Sequence, residues 1–485
     1  MTDLLIWPVA IPLIASLLTL LSARWSNAIG VLASVGTLVG AVSIAAQIVR
    51  DGAMTLALGG WAPGLGIALR ADGLSAALLL MCACVSLAIA IYSSSYFAAG
   101  QRRARFWPLW MLLLAALNAL LLSGDIFNLY VTLELVGLTA VALGALGGTR
   151  EAVVAALRYL TVGLVGSMAF LAGVVLLYAA YGTLDMAALS GLVEDGPAAW
   201  VSLTLITLGL LLKSALFPLH FWLPPAHANA PAPVSAALSA LVVKVAFYLV
   251  IRLWLEVFFQ VINPAAGWLL GLLGAAAVLW GSWQAMRAER LKVLAAYSTV
   301  AQIGYLFLFI PLLIVVPPGE ARETAFGALV LFALTHGFAK SALFLSAGVI
   351  QKQAGHDRIA DLGGTARALP VTTFVLALAG VALIGLPPSG TFLAKWQLMS
   401  TAIESGVWLW LPVVSAGSLL AGAYMFRVLG HAFAPGDRDG AVLAGGRVEV
   451  PELVLATIAT VILGLVAGGL WDFLARAPLI GAGTP

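Results

Sequence analysis

The sequence predicts an all-α polytopic membrane protein of about fourteen transmembrane helices, two of them broken, with ten arranged as two inverted five-helix repeats. Three observations lead there. Of 485 residues, 62% are hydrophobic and 9% charged, and the mean hydropathy is +1.07, whereas soluble domains run at about 45–50% apolar and about 25% charged. The apolar residues fall in runs of about 20, the length at which a helix crosses the hydrocarbon of a bilayer. Proline pairs interrupt two of those runs. This composition excludes intrinsic disorder, collagen and disulfide scaffolds. Cys82 and Cys84 stand two apart in an apolar run, so on a helix they point about 200° apart and share neither a metal nor a bridge. A net charge of +3 gives no footprint for nucleic acid.

Taken in order, the runs place helices near 4–22, 28–49, 73–97, 106–123, 126–147, 152–181, 199–217, 233–258, 265–286, 293–314, 324–350, 369–405 (interrupted), 408–432 and 452–475. The first run has no basic region before it and no small-residue cleavage site after it, so it reads as a retained helix rather than a signal peptide. The organisation expected is a three-helix N-terminal segment (1–105), a first five-helix repeat (106–260), a second (261–432), and a loop with the last helix (433–485). An even count puts both termini on one side. Roughly 14 Lys and Arg residues lie at loops after odd-numbered helices, among them Arg102, Arg103, Arg105, Arg287, Arg290, Lys292, Lys352, Arg438 and Arg447, against about four (Arg50, Arg70, Arg322, Arg476) on the other side. Basic loops stay cytoplasmic, so the expectation is an inner (plasma) membrane protein with both termini on the outer face.

Six of the 24 basic residues fit neither set of loops: Arg158, Lys213, Lys244, Arg252, Lys340 and Lys395 fall inside the helices. Left charged and unpaired, the four lysines would cost on the order of 10–14 kcal/mol at roughly 2.5–3.5 each. They must be paired, hydrated or neutral. One acid, Glu134 in GDIFNLYVTLELVGLTAVAL, lies about nine residues, or roughly 13 Å, into its helix, and it is the partner expected for a lysine at depth. Arg158 cannot practically deprotonate and reads as an anchoring charge. Arg252 and Glu256, four apart near a helix end, read as a structural interfacial pair.

The interruptions surround Pro218, Pro224 and Pro225 in LLKSALFPLHFWLPPAHANAPAPVSAAL, and Pro387 and Pro388 in VALIGLPPSGTFLAKWQL. Proline removes a backbone donor and clashes with the preceding turn, so both helices are expected to be discontinuous. Unwound backbone at membrane depth survives only where protein or a wet cavity surrounds it. The broken helices are the seventh and twelfth, five apart, each with a lysine nearby (Lys213, Lys395). That spacing predicts two repeats, and the odd separation makes them inverted.

Each polar group has two readings. Glu134 with Lys213 is a fixed ion pair, or a pair in which movement of the carboxylate releases the lysine's proton; buried pairs are poor sources of stability, which favours the second. His220 and His227 flank the first break and are possible relay groups, or simply bond carbonyls. Seven apart, with prolines between and no third ligand, they make no zinc site, and no metal is expected. Lys244 lies too deep to snorkel easily. His336 and Lys340 in LFALTHGFAKSALFLSAG stand four apart on one helix face, as a relay or a polar packing stripe requires. No phosphate-binding glycine loop, nucleophile elbow, haem or iron–sulfur ligand set occurs, so neither a cofactor nor a redox or hydrolytic site is expected in this chain.

PLHFWLPPAHANAPAPVSAALSALVVKVAFYLVIRL, KVLAAYSTVAQIGY, THGFAKSALFLSAG and GLPPSGTFLAKWQL, in that order, together resemble the antiporter-like subunits shared by respiratory complex I, membrane-bound hydrogenases and Mrp-type cation/proton antiporters. The resemblance implies a proton relay at mid-membrane through Glu134, Lys213, Lys244 and Lys395, with His336 and Lys340 in the eleventh-helix connection. Where relatives carry a tenth-helix histidine, this sequence has Gln302, which does not titrate. Lys395 in place of glutamate, the AQIGY and APAPVSA stretches and the length resemble the D-type member of Mrp antiporters most closely.

Three functions stay open on the sequence. The chain is a proton-translocating subunit of an Mrp-type Na+/proton antiporter, the same module in a redox-driven complex I-like or hydrogenase complex, or a self-sufficient transporter of a small solute. The first two imply other membrane subunits as partners, within a lipid bilayer. Four deep lysines argue against a mere scaffold.

Overall fold

The computed structural model describes residues 2–61, 66–436 and 446–479, and these are overwhelmingly helical. In chain order the long helices are α1 (Trp7–Leu21), α2 (Ser26–Asp51), α3 (Gly73–Tyr96), α4 (Gln101–Leu121), α5 (Ile126–Ala145), α6 (Arg150–Tyr181), α7 (Pro197–Ser214), α8 (Ala232–Val257), α9 (Pro264–Arg287), α10 (Leu291–Val315), α11 (Glu320–Ala354), α12 (Pro370–Ile384), α13 (Gly390–Glu404), α14 (Trp410–Phe433) and α15 (Glu449–Leu465). Among the described residues twelve helices are long and apolar enough to cross a membrane. The two remaining expected spans are irregular. The run over 369–405 is split into α12 and α13, each too short to cross alone, and α15 bends by 76° into Ala467–Arg476.

Helix starts follow local chemistry. In a bilayer the orphan N–H groups of a first turn have no water to turn to, and polar side chains supply the acceptor. Asp72 accepts from Ser75 N at 3.0 Å, Asp125 from Asn128 N at 2.8 Å and Ser389 from Phe392 N at 3.2 Å. Pro197, Pro264 and Pro370 open α7, α9 and α12, where a missing N–H costs nothing.

Tight helix contacts are made by glycine. A Cβ on Gly274 of α9 would stand 2.7 Å from the carbonyl of Gly304 on α10, so only glycine lets these backbones approach as they do. Large apolar side chains such as Leu21, Leu32, Met168 and Leu419 point outward, as a lipid-facing surface requires. The apolar windows of α8 and α11 are wholly buried, and that of α10 is 89% buried. These three helices are the interior of the bundle, and their side chains cannot snorkel to an interface.

Four features depart from the sequence reading. A short antiparallel hairpin, β1 (Met54–Ala57) with β2 (Ala68–Ala71), sits between α2 and α3. Arg102, Arg103 and Arg105 lie in the first turns of α4 rather than in a loop. Lys292, counted as a loop charge, is the second residue of α10, only 1% exposed, and donates to the carbonyl of Ala230. Arg70 and the Arg252–Glu256 pair are not separate loop and interface charges: Arg70 pairs with Glu256 and Asp72, and Arg252 with Asp72 and Glu256, all nearly inaccessible. Tyr248 joins them, its hydroxyl accepting from Arg252 Nε at 3.1 Å and donating to Leu121 O at 3.1 Å. Burial pushes the Asp72 carboxyl up, and the guanidiniums of Arg252 and Arg70 outweigh it, holding it below the usual carboxylate range. Two positive and two negative charges thus tie the hairpin to the end of α8. Arg438 and Pro485 lie outside the described residues, as does the side chain of Arg447.

Candidate functional site

The first break falls where the proline spacing places it. α7 ends at Ser214, Ala215 turns into the left-handed region at φ 56°, the Phe217–Pro218 peptide is cis, and the chain re-forms a short helix over Leu223–Asn229 before α8. The indole Nε1 of Trp222 donates to the freed Leu212 carbonyl at 3.0 Å. One residue before that end, Lys213 Nζ donates to Glu134 Oε1 of α5 at 2.9 Å, and Ser167 of α6 donates to the same oxygen. The expected Glu–Lys pair is therefore formed, at the meeting of three helices. A cavity of about 20 Å³ adjoins it, lined by Glu134, Lys213, Tyr159 and Val242, which is room for one water molecule.

Val242 leads to the second group, two residues along α8. There the helix widens into a π-turn over Leu238–Val242, a form that recurs at functional sites. Lys244 Nζ donates to the Ser239 carbonyl at 3.1 Å. The Ser239 and Thr299 hydroxyls are 2.8 Å apart, and Thr299 donates to Ala295 O at 2.9 Å. Lys340 of α11 donates to that same carbonyl at 2.9 Å and to Ser298. Lys244 and Lys340 thus each donate to a backbone carbonyl, Ser239 O on α8 and Ala295 O on α10, and the Ser239 and Thr299 hydroxyls stand between those two residues. His336 is buried with both ring nitrogens unpaired, within electrostatic reach of both lysines.

The second break carries Lys395. α12 ends at Ile384, Gly385 turns left-handed at φ 84°, Pro387–Pro388 is cis, and Ser389 starts α13. Lys395 Nζ reaches back to donate to Ile384 O at 3.0 Å and Ser418 Oγ at 2.9 Å, and lies 4.2 Å from the ring centre of Tyr305. Gln302, the non-titrating position, donates to Leu383 O at 3.0 Å and so caps the same helix end. Among the described residues Lys395 forms no ion pair. Between Lys340 and Lys395 stand two tyrosines that the sequence reading did not single out: the unpaired Tyr424 hydroxyl faces Ser298, and Tyr305 lies near Tyr424 and Ser418.

The two flanking histidines separate. His227 is wholly buried, stacked on Phe344 with centroids 4.7 Å apart, its nitrogens unpaired, within electrostatic reach of Lys292 and Lys340. His220 stacks on Phe217 at 5.5 Å and bonds none of the other candidates. Lys292 also lines a wide cavity of about 860 Å³ with Arg102, Glu151, Arg290 and Lys352.

Buried titratable groups gathered around hydroxyls, with two broken helices, stand in a chain whose sequence matches a known family. Residues 123–421 match NADH:quinone oxidoreductase/Mrp antiporter, TM, and residues 63–107 match the N-terminus of chain 5 of NADH-ubiquinone oxidoreductase (complex I). The chain belongs to the NADH:quinone oxidoreductase/Mrp antiporter family. It is 36% identical to the N-type subunit of NADH-quinone oxidoreductase from Desulforudis audaxviator, over 97% of this chain and 95% of that one. It is 27% identical to the D-type subunit of the Na(+)/H(+) antiporter from Alkalihalophilus pseudofirmus, over 98% and 96%. A chain of the Mrp complex from Dietzia sp. DQ12-45-1b superposes with a TM-score of 0.88 at 25% identity, over 98% of this chain and 96% of that one. The family is as the motifs indicated, and the chain is a multi-pass membrane protein whose relatives are subunits of multi-subunit complexes. Matches of nearly full length to both an N-type and a D-type relative do not single out the Mrp one.

Proposed function

We propose that this chain is a proton-translocating, antiporter-like subunit of a hetero-oligomeric complex in the plasma membrane. The carrying observation is that Lys244 and Lys340 are held on either side of one polar cluster, Ser239, Thr299 and Ala295 O, inside the three most buried helices. Lysines so placed are costly when charged, and ionisable groups at that depth mark proton relays and ion pathways. In this reading Glu134 and Lys213 set the charge in the first half, Lys244, His336 and Lys340 relay across the centre, and Lys395 ends the relay. His227 is a side branch towards Lys292, and His220 stays outside.

Mrp-type exchange of Na+ for protons is the reading that the motifs favour, with likeness to the D-type antiporter relative over nearly the whole chain in support. The redox-driven reading, a proton-pumping subunit of a complex I-like or hydrogenase assembly, is favoured by the 36% identity to the N-type relative. The fourteen-helix count, with α12 and α13 forming one span, belongs to the same proposal. So do the two inverted repeats over 106–260 and 261–432, flanked by segments 1–105 and 433–485, and the outward termini. A reporter fused at Pro485 that is active only in the cytoplasm would overturn the topology.

The deciding experiment isolates the tagged chain with its native partners and follows ΔpH in inverted vesicles. Small cation-antiporter siblings and ΔpH collapse by added Na+ support the first reading; quinone and iron–sulfur subunits with reductant-driven acidification support the second. A chain purified alone that moves neither protons nor Na+ but carries a solute overturns both.

A further inference from the structure

Away from the lysine axis, α15 brings two carboxyl groups, Glu449 and Glu452, into the protein. Three apart, they share one helix face; Glu452 is 0% exposed and Glu449 8%. α15 packs there on α3, α11 and α12. From α12 the Thr372 hydroxyl lies 2.7 Å from Glu449 Oε1 and 3.0 Å from Glu452 Oε1. From α11 the Ser346 hydroxyl, itself wholly buried, faces Glu452 without completing a hydrogen bond, and Glu452 Oε2 is unpaired as well. From α3 the facing titratable group is Tyr92, whose hydroxyl donates to Leu345 O at 3.1 Å.

Among the described residues neither carboxyl of this acid pair forms an ion pair. The lysines and the arginine of α11 are engaged elsewhere, Lys340 on Ala295 and Ser298, Lys352 on the carbonyls of Ser95 and Tyr96, and Arg322 over the Phe259 ring. A threonine hydroxyl has one proton to give. Shared between two carboxylates, that proton would leave two unpaired anions buried side by side, the arrangement in which one of a pair stays protonated. With a proton on one carboxyl, both Thr372 contacts are satisfied: that carboxyl donates to Thr372 Oγ1, and Thr372 donates to the other. From this geometry we infer that Glu449 and Glu452, bridged by Thr372, form a proton-binding dyad that holds one exchangeable proton outside the lysine axis.

The dyad sits where its occupancy can reach the second broken helix. α15 touches α12 again through Thr460, which donates to Leu378 O at 2.8 Å, and Gly464 lies so close to the Pro388 carbonyl that a Cβ there would have no room. Losing the proton places a second negative charge between α15 and α12 and drives them apart, at the helix whose end Lys395 fastens. The dyad is therefore a clasp on that break, and its standing does not depend on the relay proposed above.

The test is infrared difference spectroscopy on the intact purified complex, wild type against the Glu449→Gln/Glu452→Gln double variant. Glutamine keeps a donor and an acceptor at each position, and Thr372→Val, which removes only the bridge, is the second variant. The wild type is expected to show one protonated-carboxyl C=O band per chain that shifts in D2O, is absent from the double variant and moves in Thr372→Val. Identical spectra for wild type and double variant across the pH range in which the complex is intact would overturn the proposal. So would a band that vanishes at fixed pH on adding NaCl but not choline chloride, which would make the pair a cation site.

Discussion

Replacing Glu134 by glutamine leaves the shape of the first-half site almost unchanged and removes one charge. At the 2.9 Å separation of Lys213 Nζ from Glu134 Oε1, and with the effective dielectric of about 20 that suits partly buried pairs, the attraction is about 6 kcal/mol. Neither side chain is more than 20% exposed, so solvent screens little of it. The loss leaves Lys213 without the carboxylate that balances its charge. The Ser167 hydroxyl can still bond the amide and so keep α5 and α6 in place. Glu134→Gln is therefore expected to assemble normally, judged by co-purification of its partners. It should transport at background rate, judged by ΔpH-dye quenching in inverted vesicles driven by either a Na+ gradient or a reductant. Glu134→Asp, which keeps the charge on a shorter stem, should recover part of the rate. Wild-type transport by Glu134→Gln would refute the reasoning, because it would show that Lys213 is charged, or discharged, without help from its carboxylate.

Lys395→Arg should abolish transport, since a guanidinium does not release its proton, while Lys395→Glu should keep a fraction, its protonated form donating to Ile384 O; the reverse order in the same vesicle assay would make Lys395 a fixed counter-charge. Tyr424→Phe deletes the hydroxyl that faces Ser298 and should slow transport about tenfold, or about 1.4 kcal/mol in barrier, with the complex intact; an unchanged rate would remove Tyr424 from the route. Arg252→Leu leaves Asp72 and Glu256 short of a cation and should cost about 3–5 kcal/mol, read as a lowered unfolding temperature of the purified complex, with Arg252→Lys intermediate. Melting at the wild-type temperature would show that Arg70 alone balances both acids.

Much of the site was legible because a charge in an apolar run is conspicuous. Glu134, Lys213, Lys244, Lys340 and Lys395 were found by asking which basic and acidic residues no loop could hold, and the prolines located both breaks to within a turn. Ser298 and Thr299 are visible as hydroxyls that hold water or bond carbonyls, but what each hydroxyl connects to is hidden for a physical reason. Ser239, Ser298, Thr299 and Tyr424 carry ordinary polar groups, and a hydroxyl in a membrane helix usually bonds its own preceding turn, as Thr299 does with Ala295. Whether it also reaches a neighbour depends on which helices adjoin. Lys292 was missed because it sits at the edge of its run, where sequence alone reads a loop. Arg70 and Glu256 are separated by 186 positions, and nothing local tells that they meet. The spacing of Glu449 and Glu452, three apart at the start of an apolar run, is by contrast visible in the sequence.

The two broken helices hold their lysines by different means, and the difference bears on how each could let a proton go. Lys213 is balanced by a full negative charge on another helix, so each ångström by which α5 separates from α7 alters its electrostatic environment by about 1–2 kcal/mol. Lys395 is balanced by neutral groups: the carbonyl of Ile384 at the negative end of α12, the Ser418 hydroxyl and the face of Tyr305. Each such contact contributes about 0.5–2 kcal/mol, and they converge only while the break at Gly385 keeps its shape. In the proposed relay, release at Lys213 therefore follows the distance between two helices, whereas release at Lys395 follows the conformation of one interruption. Two sites so held, one by a carboxylate on another helix and the other by backbone geometry, need not empty together, and that inequality is what a directional relay between them requires.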